Sequence, residues 1–480
     1  MLEIFRRRRR RKILVVGLDC APPPVVFHRA DEHPLGLKDQ LPHLSRLVDE
    51  GIYGPLSSSI PCITVPAWSS MFASKDPGEL GFYGFRNRAD YSYDRMNIAT
   101  SRAVHEKRVW DILTDAGRES IVVGVPQTYP VRPLKGHLVS SFLTPSIQRQ
   151  YTYPHELRFE IERVLDGRSY DVDVHQFRTE DKDHLLRQIY EMTEKRFAVV
   201  KHLLREKPWD LFAFVEIGLD RLHHGMWKFW DPSHPKHQPG NHYQDAIPDY
   251  YRYLDRELGE LLGMLDEDTV VLVVSDHGAQ SMEGGIAINE WLRREGLLVL
   301  LDEPRYEGII PFEKVEVDWA RTVAWGAGGY YGRIFMNVEG REPLGSVPAA
   351  DYEKVRDELK ARIEAIPDHR GQPMDTTAFK PQDLYRTVRN VAPDLMVYFG
   401  DLRWRSVGSF GLPEIYTFEN DIGPDDANHA QDGVFVLWDP GRDLEGRAVE
   451  GLQLMDVAPT ILDLMGVQVP EDMQGHVVAG

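Results

Sequence analysis

Cysteine is nearly absent. Cys20 and Cys62 are the two thiols in 480 residues, too few for the disulfide framework of a small secreted scaffold. Long apolar runs are missing as well. No stretch reaches the ~18–20 apolar residues that a membrane helix needs. The apolar run "ILVVGLD" is interrupted at Gly17 and ends on Asp19, so it reads as a buried strand rather than the core of a secretory signal. Positive charge is scarce overall. A net charge of −19 argues against non-specific nucleic-acid binding by the whole surface. There is no internal repeat and no low-complexity tract beyond one Arg run. These absences lead to the expectation of a cytoplasmic protein.

That Arg run is the local exception to the acidic balance. "MLEIFRRRRRRK" carries six Arg and one Lys between Arg6 and Lys12. The plain reading of 1–12 is a solvated, disordered tail. The sharper one is a weak contact with anionic lipid or RNA.

What the chain does have is strand-like and helix-like segments in alternation. "KILVVGLD", "WDLFAFVEIGLDR" and "TVVLVVSDHG" are near-continuous apolar runs separated by helical spacing, as in "DHLLRQIYEMTEKRFAVVKHLLREK" and "YYRYLDRELGELLGML". This pattern predicts an α/β fold with a mostly parallel central sheet covered by helices on both faces. The core is expected over 13–300 and 386–480, with an inserted, Gly- and aromatic-rich subdomain at 301–385. A further cover segment is expected at 128–200.

The three apolar runs share a feature: each ends near an acid, at Asp19, Asp220 and Asp276. Ligands of open α/β sheets bind outside the carboxyl ends of the strands, so three acids distant in sequence become one candidate site. His277 adjoins Asp276. "GLDRLHHG" offers His223 and His224 at i+3 and i+4 from Asp220, both near its face of a helix. His429, in "DDANHAQDGVF", precedes another strand and can reach the same edge. Carboxylate and imidazole without thiolate suit zinc or manganese. Thr64, in the uncharged stretch "PCITVPAWSSM", is a turn residue when read alone. Beside a dication its hydroxyl becomes a candidate nucleophile.

"VVGLDC", "TVPAWSSMFASKDPGELGFYGF", "GLDRLHHGMWKFWDP", "VVSDHGA", "NHAQDGVFVLWDPG" and "MDVAPTILDLMG" together resemble the alkaline phosphatase superfamily, in its type I phosphodiesterase/nucleotide pyrophosphatase-like branch. The pieces span almost the whole chain. The resemblance implies two divalent ions, zinc or alternatively manganese, and a phosphothreonine intermediate. It favours His224 over His223. One ion would take Asp19, Thr64, Asp276 and His277, and the other Asp220, His224 and His429. It also implies a small phosphorylated substrate, with phosphodiesters or nucleotide-type esters ahead of monoesters.

The departures from the family pattern narrow this. Sulfatase relatives carry an Arg where this chain has Trp68, which disfavours sulfate esters. The phosphate-holding Asn of nucleotide pyrophosphatases finds Phe85 near its place and Asn87 two residues on. The usual His before Gly81 is Leu80. Asn87, Lys75 and Arg86 are the candidate substrate contacts, with Arg88 and Arg341 as weaker ones. A phosphomutase, or a non-catalytic metal-binding or membrane-associated protein on the same fold, are the alternatives.

Overall fold

A computed structural model describes residues 11–302 and 308–478. Most of the Arg run therefore lies outside the described residues. Its last two cations do not. Arg11 pairs with Asp439 at 2.6 Å, and Lys12 pairs with Asp266 at 2.7 Å beside the Trp209 ring. The tail expected at 1–12 thus gives its last two residues to the folded core.

A ten-stranded sheet organises the chain. Ile13–Leu18 lies in its middle, parallel to Leu211–Glu216 on one side and Val270–Val274 on the other. Beyond Leu211–Glu216 come Ser120–Val123, Gly136–Val139 and the antiparallel edge strand Thr152–Tyr153. Beyond Val270–Val274 lie the antiparallel Asp432–Trp438 and then Ile52–Ser57. The central runs are buried at every position because both faces are covered, and apolar up to Glu216 at the end of Leu211–Glu216. Leu14 and Val16 pack with Leu44, Phe197 and Leu203, whereas Ile13 and Val15 pack with Trp68, Trp110 and Ile461.

Direction in this sheet decides what can meet. Ile13–Leu18, Leu211–Glu216, Val270–Val274 and Ile52–Ser57 all leave the sheet at one edge. Asp432–Trp438 runs the other way and enters there, with Asp432 opposite Ser57. Residues just after the first four strands and just before the fifth share that edge.

A second layer is built from smaller sheets. One joins Gly284–Ala287 to Trp404–Val407 and Tyr416–Thr417. Another joins Ala324–Ala327, Gly332–Met336, Leu395–Tyr398 and Thr377–Phe379 around a core containing Trp325, Phe335, Leu359 and Phe399. Strands from before 301 and after 385 belong to this layer, because they hydrogen-bond one another and not the large sheet. The 128–200 segment contributes two strands at the edge of the large sheet and the 25-residue helix Lys182–Glu206, whose apolar side packs into the core.

Candidate active site

The shared sheet edge carries the predicted residues. After Leu18 the chain turns at Asp19–Cys20, with Cys20 in the left-handed region at φ 72°. The Cys20 amide donates to Asp276 Oδ1 at 3.2 Å, and the Ala21 amide donates to Ser275 Oγ at 2.8 Å. Two strand ends are thereby tied together. Asp220 and His224 lie one turn apart on the helix Gly218–Trp230, which follows the strand Leu211–Glu216. His429 sits on Ala427–Ala430, paired antiparallel with Gly278–Ser281. Thr64 opens the helix Thr64–Ala73 and is 4% exposed.

These groups converge on one point. Thr64 Oγ1 lies 3.3 Å from His277 Nε2. His277 Nε2 lies 3.1 Å from Asp276 Oδ2 and 3.9 Å from Asp19 Oδ1. His224 Nε2 lies 3.3 Å from Asp220 Oδ1 and 3.4 Å from His429 Nε2. Asp220, His224 and His429 form one cluster of metal-ligand geometry, and Asp19, Asp220 and His277 form a second. Asp220 thus stands between the two groups rather than in one. His223 turns elsewhere, its Nε2 3.4 Å from the Tyr251 hydroxyl.

The donor chemistry fits bound cations. Each imidazole has its Nδ1 beside an acceptor: Asp425 Oδ1 at 2.7 Å for His224, Gly278 O at 3.1 Å for His277 and Cys62 O at 2.7 Å for His429. With Nδ1 donating, each Nε2 presents a lone pair to the centre. Asp19 Oδ1, Asp220 Oδ1 and Asp276 Oδ2 are buried there with no hydrogen-bond partner among the described residues. Lone pairs at these distances repel unless a cation or a proton lies among them: against burial, Asp425 and Asp220 push His224 up to about 9 and Asp276 raises His277, so a bound cation would stand in place of those protons. Burial, then the nearby Asp276 and Asp220, raises the Asp19 pKa well above the usual carboxylate range. Burial and then His277 push His429 down to about 3, which keeps it a neutral ligand.

Two supporting groups were not legible in the sequence. Trp68 donates its indole N–H to Asp19 Oδ2 at 2.7 Å. Its ring reaches that point only because residue 17 is Gly; a Cβ there would stand 2.7 Å from the indole. Asp425 orients His224 and also accepts from Arg178 Nε at 2.8 Å. Burial alone would raise the Asp425 pKa, but His224, Arg178 and Arg405 outweigh it and hold it at about 2.

Above the floor opens a cleft of about 450 Å³, lined by Thr64, Asp220 and His429 below and by Phe85, Phe177 and Tyr330 on its sides. Of the proposed substrate contacts, Arg86 lines this cleft. Asn87 does not: it closes a local turn, accepting from the Tyr83 amide at 2.7 Å and donating to Gly84 O at 2.9 Å. Lys75 is buried and pairs with Asp472 at 3.0 Å and Glu79 at 3.4 Å. Arg88 pairs with Glu342, and Arg341 with Asp394. Arg178, Arg333 and Arg405 line the cleft instead. No periodicity or spacing in the sequence ties those three to the site.

A mostly parallel α/β sheet with this cluster at its carboxyl edge defines a phosphoric ester hydrolase of alkaline phosphatase-like fold. The chain belongs to the type I phosphodiesterase/nucleotide pyrophosphatase family, whose model matches residues 13–425. Its structure is similar to human ectonucleotide pyrophosphatase/phosphodiesterase 5, with a TM-score of 0.55 at 14% identity over 96% of this chain and 97% of that one. It is also similar to phosphonoacetate hydrolase from Sinorhizobium meliloti 1021 in complex with phosphonoacetate, with a TM-score of 0.58 at 14% identity over 95% and 96%. At such identity the likeness concerns the fold. Among curated proteins, none matches the chain. No helix among the described residues is long and apolar enough to cross a membrane.

Proposed function

We propose that the chain cleaves phosphate esters, with phosphodiesters or nucleotide-type esters ahead of monoesters, through a phosphothreonine at Thr64. The observation that carries this is the placement of Thr64 Oγ1 against a floor of converging imidazole lone pairs and unpartnered carboxylate oxygens. Asp19, Asp276 and His277, with Thr64, would hold one divalent ion, and Asp220, His224 and His429 the other. Zinc is favoured and manganese is the alternative, since the donors are imidazole and carboxylate. Bound there, the ions supply Lewis-acid charge that favours the Thr64 alkoxide and neutralises the leaving oxygen.

The chain's own residues do the rest. Thr64 Oγ bonds to phosphorus while the ester bond to the leaving alcohol breaks. Water then cleaves the Thr64–phosphoryl bond and restores the hydroxyl. The N-terminus of the helix Thr64–Ala73 points its dipole at the negative phosphoryl group. A cleft with Phe85, Phe177 and Tyr330 on its sides has room and ring faces for an organic substituent beyond the phosphoryl group, which favours a diester. The test is release of p-nitrophenol from bis-p-nitrophenyl phosphate and p-nitrophenyl phosphate with added Zn²⁺ or Mn²⁺. Folded protein that shows no metal-dependent release from either would overturn the reading.

A further inference from the structure

Among the cations around the cleft, Arg405 stands apart. It projects from the strand Trp404–Val407 of the small-sheet layer and lines the cleft, yet it is 4% exposed. Its Nε and Nη1 are buried and make no hydrogen bond among the described residues. Two carboxylates face it beyond hydrogen-bond reach: Asp421 Oδ1 lies 3.7 Å from Nη2, and Asp425 Oδ2 lies 3.8 Å from Nη1. Asp425 is already engaged by His224 and Arg178. The Tyr330 ring lies 5.9 Å from the Arg405 guanidinium and stacks on His224 at 4.7 Å. Arg405 is therefore next to the reacting floor but not part of it.

A buried guanidinium with unmade hydrogen bonds is costly, and the cost persists only if something compensates for it. Arg221 and Arg178 show what complete pairing looks like in the same cleft. Arg221 is bidentate to Asp173 and also reaches Asp220, and Arg178 bonds Asp425 and the Tyr330 hydroxyl. Burial pushes the Arg405 pKa down, whereas nearby Tyr330 and Asp425 outweigh burial and push Arg178 up. The planar fork of an Arg suits a carboxylate or a phosphoryl group, both of which accept two parallel N–H bonds.

We propose that Arg405 receives a second anionic group of the substrate, a carboxylate or phosphoryl group separate from the phosphoryl group that Thr64 attacks. The substrate class is then a phosphate ester with two anionic centres, the second lying over Tyr330. This rests on the phosphate-ester reading for the first centre and adds a specificity-determining residue for the second.

Calorimetric binding tests it without relying on turnover. Zinc-loaded protein is titrated with propyl phosphate, with the phosphate ester of 3-hydroxypropionate and with propane-1,3-diol bisphosphate. The expected result is that at least one doubly anionic compound binds about tenfold or more tighter than propyl phosphate. The more strongly favoured compound identifies the second group as carboxylate or phosphoryl. Arg405→Gln should remove most of that ratio, and Arg405→Lys should lose part of it, since the charge stays but the fork goes. Taking the ratio within each variant cancels any loss of active protein. Equal affinities of all three compounds for the wild-type protein would overturn the inference with no variant needed. An undiminished ratio in Arg405→Gln would do the same. Absent p-nitrophenol release alongside an intact binding ratio would instead count against the Thr64 chemistry alone.

Discussion

The floor of the cleft is set at strand ends of the large sheet, whereas its wall comes from the small sheets and the Phe177–Arg178 loop. Floor residues are held by short contacts to fixed backbone: His277 and His429 bond carbonyls of Gly278 and Cys62. Wall residues are long aromatic and basic side chains that meet across loops distant in sequence. The floor would decide what reaction occurs, and the wall which ester is accepted. Variants should therefore separate the two regions by the size and kind of their effects.

The largest effect is expected at the centre of the floor. Thr64→Ala should lower kcat/KM for bis-p-nitrophenyl phosphate by at least about a thousandfold, as loss of a nucleophile does elsewhere. Bound metal, measured by mass spectrometry, should stay within about half of the wild-type content, because imidazoles and carboxylates supply most of the ligands. Full activity in this variant would sink the nucleophile assignment. Chelation with EDTA should abolish turnover to a comparable extent, with recovery on adding Zn²⁺ or Mn²⁺; activity indifferent to EDTA would argue against metal chemistry on this floor.

A step outward, Asp425→Asn keeps the shape but weakens the grip on His224 Nδ1 and leaves Arg178 without its carboxylate. Metal affinity or turnover should fall about 10- to 100-fold, the usual result of losing the partner of a ligating imidazole. Trp68→Phe makes the parallel test on the other side: it removes the N–H that reaches Asp19 together with part of a fully buried ring, so folded content is measured alongside metal affinity. Unchanged metal affinity in both variants would mean that the floor does not depend on these supports. On the wall, Phe177→Ala should raise KM for the diester by about three- to tenfold with a smaller change in kcat, as loss of uniform binding does. A kcat loss equal to that of Asp425→Asn would erase the distinction between wall and floor.

The two regions also differ in how far the sequence discloses them. Asp19, Asp220 and Asp276 could be found because each ends an apolar run, and strand direction then forces them to one edge. His224 was separable from His223 by family resemblance, and packing accounts for the choice: His223 faces Tyr251. Asp425 stood beside Asp426 with nothing local to rank them. The structure distinguishes them, since Asp425 faces His224 while Asp426 pairs with Lys228. Arg178, Tyr330 and Arg405 belong to three segments whose meeting depends on how the small sheets dock, which no local period encodes. The pairing of Gly284–Ala287 with Trp404–Val407, on either side of the expected insert 301–385, is non-local and hidden for the same reason.

The smallest effect is expected at Asn87, which sequence position suggested as a substrate contact and the structure places on the strand Arg86–Arg88 with its side chain closing the preceding turn. Its amide oxygen accepts from the Tyr83 N–H and one of its two N–H groups donates to Gly84 O, so both ends serve the turn, and Asn87 does not line the cleft. Asn87→Ala should cost about 1–2 kcal/mol of stability in urea unfolding, from the Tyr83 amide left without its acceptor. Its kcat/KM for bis-p-nitrophenyl phosphate should stay within about threefold of wild type, since removing a donor that stabilises the transition state costs far more. Gly84 and Phe85 do line the cleft, so a small effect through the turn is consistent with this placement. A fall of a hundredfold or more, with stability unchanged, would instead return Asn87 to the phosphate and place it in the floor. Lys75→Met provides the matched control: its ammonium is taken up by Glu79 and Asp472, away from the cleft lining, and its loss should likewise register in stability before turnover.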